Sequence, residues 1–324
     1  MKKIHKIIPF SLLFLLPVFS SPGPAQNAPS WEWKPAAACG GPATWFAAAF
    51  TAGSKAYLCA GYGFGKALWE YDAGRDAWTR KTDFPGKERG SAVAFSIGNK
   101  GYVGLGFGDN DRFSDLWEYD PAADRWKQKA SLPAVGRDHS GAFAIDGIAY
   151  VFGGTKGETA GNDDFVKEVW AYDPATDIWT RKADMPEGTA APACFALNGK
   201  GYFGTGILTV VPYALSRVFW EYDPKPDRWT RKADFPGAAR FKAVGFAFGG
   251  KGYIGTGIEE VGESSAKMAG DIWEYDPAAN AWSPKPAFPG PARGASVGFV
   301  IGGRIYLGTG MDSGRKTLSD FWRT

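Results

Sequence analysis

Tryptophan recurs along this chain of 324 residues at intervals that only an internal repeat produces. Trp33, Trp78, Trp126, Trp179, Trp229 and Trp282 form one series, with steps of 45 to 53 residues. In a second series, Trp69, Trp117, Trp170, Trp220 and Trp273 each stand nine residues before a member of the first, and Trp322 ends it. Each unit also carries a tyrosine: Tyr57, Tyr102, Tyr150, Tyr202, Tyr253 and Tyr306. It follows the first tryptophan by 24 residues, or by 23 in the fourth unit, whereas its distance to the second tryptophan wanders between 12 and 20. Insertions collect in loops, so every unit has one variable loop.

Within a unit the strand signals are short and bounded by turn residues. Residues 91–97 form an apolar run, Gly98-Asn99-Lys100 turns, and residues 101–105 form the next strand, closed by Gly104 and Gly106. Beyond the variable loop come residues 116–119, a turn opened by Asp120-Pro121, and residues 125–129. Asp-Pro opens turns and glycine ends strands because of their backbone preferences. The 44 glycines, 22 prolines and 23 phenylalanines suit many short strands better than helices. Four antiparallel strands, repeated six times, predict an all-β fold, a six-bladed β-propeller. The last unit ends at its third strand, and Trp31-Glu32-Trp33-Lys34 matches a fourth strand, so the N-terminal segment should close the last blade.

The period, the glycine step after the tyrosine (Tyr150-Val151-Phe152-Gly153-Gly154), the Tyr119-Asp120-Pro121 turn and the tryptophan that follows resemble kelch repeats across residues 31–324. Most units carry Gly-x-Gly instead, as in Gly204-Thr205-Gly206, a departure that leaves the strand ending intact. The shorter WD repeat fits the period less well, and the Asp-box of sialidase-type propellers is absent. Tryptophans placed once per unit at fixed spacing read as wedges between blades rather than as a ligand ladder. The acids of Leu-Trp-Glu-Tyr-Asp, such as Glu70 and Glu118, read as repeat features too.

Ahead of the repeats stand Lys2, Lys3 and Lys6, an apolar run over residues 7–19, and small residues near Gly23-Pro24-Ala25. That pattern predicts a signal peptide over residues 1–25, a short linker over 26–30, and export to the periplasm or the extracellular space. The apolar run is too short, and too broken by Pro9 and Pro17, for a lasting membrane span. Loss of the leader removes three lysines and no acid, leaving 34 basic against 34 acidic side chains. So even a balance argues against nucleic acid as a partner. Cys39, Cys59 and Cys194 are an odd count for an oxidising compartment. Cys39 and Cys59 are expected near one face and are a possible disulfide pair. One histidine, His139, remains in the mature chain, so no metal and no cofactor is expected. The acidic loop residues Asp109, Asp111, Glu158, Asp163, Asp164, Glu259, Glu260 and Glu263 lack the spacing of a calcium loop and read as solvated charge.

In a four-stranded meander, the loop between strands two and three and the loop entering strand one emerge on one face, which therefore holds the sequence freedom. Counting from the first tryptophan of each unit aligns the entering loops. Eleven residues on stand Thr44, Arg89, Arg137, Ala190, Arg240 and Arg293; the next position holds Trp45, Gly90, Asp138, Ala191, Phe241 and Gly294; the one after holds Phe46, Ser91, His139, Pro192, Lys242 and Ala295. Four arginines round a mouth could clamp an anion through forked hydrogen bonds, or brace loop carbonyls. Trp45 could stack on a sugar ring, and Phe241, Lys242, Asp138 and His139 complete the candidate binding set. His139, the one mature side chain that ordinarily titrates near neutrality, is the candidate acid/base.

Two kinds of function follow from the resemblance. The kelch fold's copper oxidase needs two histidines, so that chemistry is not expected here. The primary expectation is a monomeric platform that binds a glycan or a protein through the loops of one face. The alternative, by likeness to exported kelch mutarotases of sialic acid, is a metal-free sugar mutarotase with an arginine-rich mouth and His139 as acid/base; the likeness is one of fold alone.

Overall fold

The computed structural model describes residues 31–157, 164–210, 213–262 and 265–324. The expected leader and linker, along with Glu158, Asp163 and Glu263, lie outside the described residues. Six four-stranded antiparallel sheets stand around a central channel, the first five running from an innermost to an outermost strand in chain order. Blade 1 consists of Ala48–Ala52, Lys55–Cys59, Leu68–Asp72 and Ala77–Lys81. The innermost strands of the others are Val93–Ile97, Gly141–Ile145, Ala193–Leu197, Val244–Phe248 and Val297–Ile301. The sixth blade takes its outermost strand from the N-terminal end: Lys34–Ala36 pairs antiparallel with Phe321–Arg323, Pro35 opposite Trp322. The ring is thus closed by hydrogen bonds between its two ends, and the sixth blade is completed to four strands like the others.

Inner strands alternate, with the one departure at Ile97, because one face must pack and the other must line the channel. In Ala48–Ala52 the buried positions are Ala48, Phe50 and Ala52, while Ala49 and Thr51 border the channel. The outward aromatics stack on the next strand, as Phe50 does on Tyr57 with ring centroids 4.9 Å apart. Some neighbouring blades make room through a missing side chain: a Cβ on Gly201 would lie 2.0 Å from the Phe143 ring. Channel-facing residues are small, including Ala47, Ala92, Ser140, Ala142, Ala243 and Gly245.

The repeated tryptophans and acids tie blade to blade. Trp78, Trp126, Trp179, Trp229 and Trp282 each donate their indole N–H to a carbonyl just past the preceding blade's outer strand, at 2.8 to 3.2 Å. The same residue returns its amide to an acidic or amide side chain, as Thr82 does to Asp124 at 3.0 Å. Glu70, Glu118, Glu221 and Glu274 accept the hydroxyls of Tyr57, Tyr102, Tyr202 and Tyr253. These acids are structural ties, and burial with such a carboxylate beside it pushes each tyrosine hydroxyl far up.

No disulfide joins Cys39 to Cys59, which corrects the pairing considered from sequence: both are buried free thiols. They lie in different apolar clusters, Cys39 with Phe64 and Phe321, Cys59 with Phe84 and Leu68. Burial pushes their thiols up to about 11 and about 12, so both behave as small hydrophobes. Cys194 also is a free thiol, pushed up to about 11.

Candidate functional site

The loops entering each blade and the loops between second and third strands do meet on one face. They are stitched together in every blade, by bridges Trp45 to Tyr62, Gly90 to Phe107, Asp138 to Thr155, Ala190 to Ile207 and Phe241 to Ile258, and by the pairing of Gly294 with Met311. Two residues past the arginine position, backbone amides close a ring around the channel. Ser91 donates to Phe46, His139 to Ser91, Ala191 to His139, Lys242 to Ala191, Ala295 to Lys242 and Phe46 to Ala295, at 2.7 to 3.2 Å. All six residues have φ between 52° and 57°, a left-handed conformation that non-glycine residues rarely take. The closed ring compensates for it, because each amide and carbonyl pointing along the mouth has a partner. The fourth member is Ala191 rather than the Pro192 expected from counting, because the one-residue deficit of that unit falls before the mouth.

The four arginines do not form a clamp at this mouth, which corrects the anion-binding role considered for them. Arg89, Arg137, Arg240 and Arg293 are at most 3 % exposed and turn into the blade instead. Arg293 donates Nε to Pro291 O at 3.0 Å, Nη1 to Thr309 O at 3.0 Å, and both terminal nitrogens to Asp320 at 2.8 Å. Arg89 with Asp115 and Arg240 with Asp271 repeat the arrangement. Arg137 meets Glu168, but its Nη1 finds no hydrogen-bond acceptor among the described residues. Where the arginine is replaced, Thr44 and Thr189 cap the same loop through Tyr62 O and Ile207 O. The guanidinium groups thus brace loop carbonyls that otherwise would be buried unpaired.

Phe241 is also withdrawn from the candidate surface. It is 4 % exposed and packs with Ile258, Ala266 and Met268 at the base of the hairpin Ile258–Val261 with Ala266–Met268. It forms part of the wall on that side, together with the hairpin Ile207–Val210 with Tyr213–Leu215.

The remaining candidates do come together. Trp45 lies against Phe46 and Tyr62, with ring centroids 4.5 and 5.5 Å away. Lys242 reaches across the mouth: its Nζ is 3.6 Å from the Phe46 ring centroid and 6.0 Å from that of Trp45. The Phe46 ring meets His139 edge to face at 5.3 Å. Phe46, Ser91, His139, Ala191, Lys242 and Ala295 thereby cap a cavity of about 170 Å³ that leads into the channel. A cation over an aromatic face is attractive, yet desolvation is the larger effect here and draws the Lys242 amine down to about 7 against the pull of Asp138.

Blade 3 supplies the polar corner. Asp138 is 5 % exposed, and its carboxylate takes His139 Nδ1 at 3.1 Å, Arg112 Nε at 3.0 Å and the Thr155 hydroxyl. Burial alone would raise it, but the bonds from His139 and Thr155 and the Arg112 charge hold it well below the usual carboxylate range. Burial draws His139 below its ordinary value, the Asp138 bond opposes that, and the nearby Lys242 and Arg112 charges add to it. The second imidazole nitrogen, Nε2, lies 3.0 Å from Ser91 Oγ. Counting along the loops had placed Ser91 at the mouth without a role, and Phe46 likewise. Arg112, Tyr62 and Thr155 were missed, although the position just past the glycine step repeats as Tyr62, Phe107, Thr155, Ile207, Ile258 and Met311.

Six closed blades with a single variable mouth define a β-propeller that presents its sequence differences on one face. Residues 136–186, which make up most of blade 3 and the loop entering it, match the Kelch motif. The solved structure of YjhT superposes with a TM-score of 0.75 at 19 % identity, over 86 % of this chain and 94 % of that one, and this likeness carries the fold. The six sheets form a propeller in which residues 136–186 carry the Kelch motif. No curated protein sequence matches it. Among the described residues no helix is long and apolar enough to cross a membrane, and no three His, Cys, Asp or Glu side chains are grouped to hold a metal.

Proposed function

We propose that this propeller is an exported binding platform whose ligand enters the mouth of the loop face, and that the ligand is a small glycan bearing an acidic group. The observation that carries this reading is the cluster of Trp45, Phe46, Tyr62 and Lys242 at the mouth, of which Phe46 and Lys242 line the cavity. Aromatic faces stack on the C–H surface of a sugar ring, and a desolvated ammonium favours a carboxylate over a neutral group. A bound anion would raise the Lys242 pKa, so binding takes up a proton near neutral pH. The platform stands alone in this reading, as a monomer freed from residues 1–25.

The test is binding of the purified mature protein to an array of acidic and neutral glycans. Trp45→Ala and Lys242→Met should each weaken acidic-glycan binding at least tenfold, Lys242→Met removing the preference for acidic over neutral members. Retained binding in both variants would move the site elsewhere. If the array gives nothing, the partner is a protein and the face should be probed by pull-down.

One observation favours a second reading, a metal-free mutarotase: the Asp138 bond orients the His139 imidazole in the mouth while burial draws it below its ordinary value, which favours the uncharged form that accepts a proton. NMR measurement of anomer exchange decides between the two. Catalysed exchange that His139→Asn abolishes would make the protein an enzyme, and exchange at the buffer rate leaves the platform.

A further inference from the structure

Three side chains in the mouth form a chain whose last member, Ser91, neither reading above uses. Asp138 Oδ2 faces His139 Nδ1 at 3.1 Å, and His139 Nε2 faces Ser91 Oγ at 3.0 Å. The carboxylate fixes the tautomer, because an ionised Asp138 can only accept, so Nδ1 carries the proton and Nε2 keeps its lone pair. The serine hydroxyl then donates to Nε2, the direction needed for a base to take its proton. Arg112 and Thr155 hold the other carboxylate oxygen and leave Oδ2 to the imidazole. Ser, His and Asp are recognised as a triad by geometry and role, whatever their order in the chain or the fold that carries them.

We propose that Ser91 is an activated nucleophile and that the propeller mouth hydrolyses short acyl esters. Ser91 Oγ forms a bond to the acyl carbon while its proton passes to His139 Nε2. Collapse of the tetrahedral adduct breaks the bond to the leaving alkoxide, which takes the proton back from Nε2. Water repeats the sequence on the acyl-serine and releases the carboxylic acid, restoring the serine. The ring amides already donate to one another, so none remains for the developing oxyanion. That role falls to Lys242, the cation in the same cavity, close enough for its charge to act on His139. The walls below are Ala47, Ala92, Ser140, Pro192, Ala243 and Ser296, small side chains that leave room for an unbranched acyl chain of a few carbons.

A fluorophosphonate probe tests this without knowledge of the natural ester, since it forms an Oγ–P bond with loss of fluoride and needs only the activated serine. Peptide mapping of the labelled protein should place the probe on Ser91. Ser91→Ala should abolish labelling, His139→Asn should slow it at least a hundredfold, and Asp138→Asn at least tenfold, with circular dichroism confirming that each variant folds. The rate should rise with pH as the imidazole loses its proton and fall again above about 7 as the Lys242 amine loses its own. Hydrolysis of p-nitrophenyl acetate should follow the same order. Folded wild-type protein that is not labelled, or is labelled at another serine, overturns the proposal. The glycan test reads Trp45, which the hydrolysis does not use, so either result can fail alone.

Discussion

Two positions in the entering loops, only two residues apart, have opposite fates. At the first, Arg89, Arg137, Arg240 and Arg293 fold back into their own blades and are consumed by carboxylates and carbonyls. At the second, Phe46, Ser91, His139, Ala191, Lys242 and Ala295 share one backbone conformation and no chemistry. The difference lies in where the loop's own polar groups find partners. Near the arginine the loop carbonyls have no strand to bond, so a side chain must supply donors, and most units use the same one. At the ring the amides satisfy each other, so the side chain carries no structural duty and is free to vary. Repetition in this molecule marks scaffold, and departure from it within a repeated frame marks the site.

The largest effect that could break this comparison is on stability. Arg293→Ala should cost about 3 kcal/mol by denaturant unfolding, because Asp320 and the Thr309 carbonyl lose their donors inside the loop. It should leave any residual ligand affinity of the folded protein little changed. An unfolding midpoint equal to that of the wild type would mean that the arginines do not brace.

Lys242→Met should act in the reverse direction. The folded state draws the amine from its ordinary 10.5 down to about 7, so between those values the unfolded chain binds more protons and stability rises with pH. The penalty of the buried charge is complete at pH 7 and below and gone near pH 10.5. Replacing Lys242 by Met should therefore stabilise the protein by roughly 1–2 kcal/mol at pH 6, offset in part by the lost contact with Phe46, and by little at pH 10. A gain that does not depend on pH would show that the ammonium is not desolvated. The same amine, half unprotonated near neutral pH, should react with an acylating reagent at pH 7 ahead of the surface lysines, as read by peptide mapping.

Much of the scaffold was legible from the tryptophan and tyrosine intervals, because a propeller blade packs only against its neighbours and so repeats its packing residues at a fixed distance. Ring closure was legible too, from a spare Trp31-Glu32-Trp33-Lys34 opposite a missing strand. The site was legible in position but not in direction. Counting put Arg89 and His139 in one loop layer, yet nothing in the chain says that the guanidinium turns inward while the imidazole faces the mouth. Phe241 misled for the same reason, its hydrophobic partners Ile258 and Met268 lying in a separate hairpin. In the fourth unit a single missing residue moved the frame from Pro192 to Ala191. Counting put Ser91 in the layer of His139 but gave no sign of their bond: the two are 48 residues apart, and only the packing of blade 2 on blade 3 brings them together.

The smallest effect concerns the His139 titration, and it separates the polar corner of blade 3 from a merely buried histidine. Burial and the charges of Lys242 and Arg112 draw the imidazole below its ordinary value, and Asp138 opposes them. The chain has only one other histidine, His5, so the ring nitrogens can be followed by NMR. Wild-type His139 should titrate with a midpoint under about 6.5. Asp138→Asn removes the opposing bond and charge, so its midpoint should fall further, whereas Lys242→Met should raise it. Stability follows the same sign: with a depressed folded value, the contribution of the neutral imidazole is present above about 6.5 and is lost as pH falls through the folded midpoint. Acidification from pH 7 to pH 5 should lower the unfolding midpoint of the wild type by more than that of His139→Gln. If Asp138→Asn moved the titration upward, the carboxylate would not be holding the imidazole, and the mouth would lose the feature that distinguishes blade 3 from the other five.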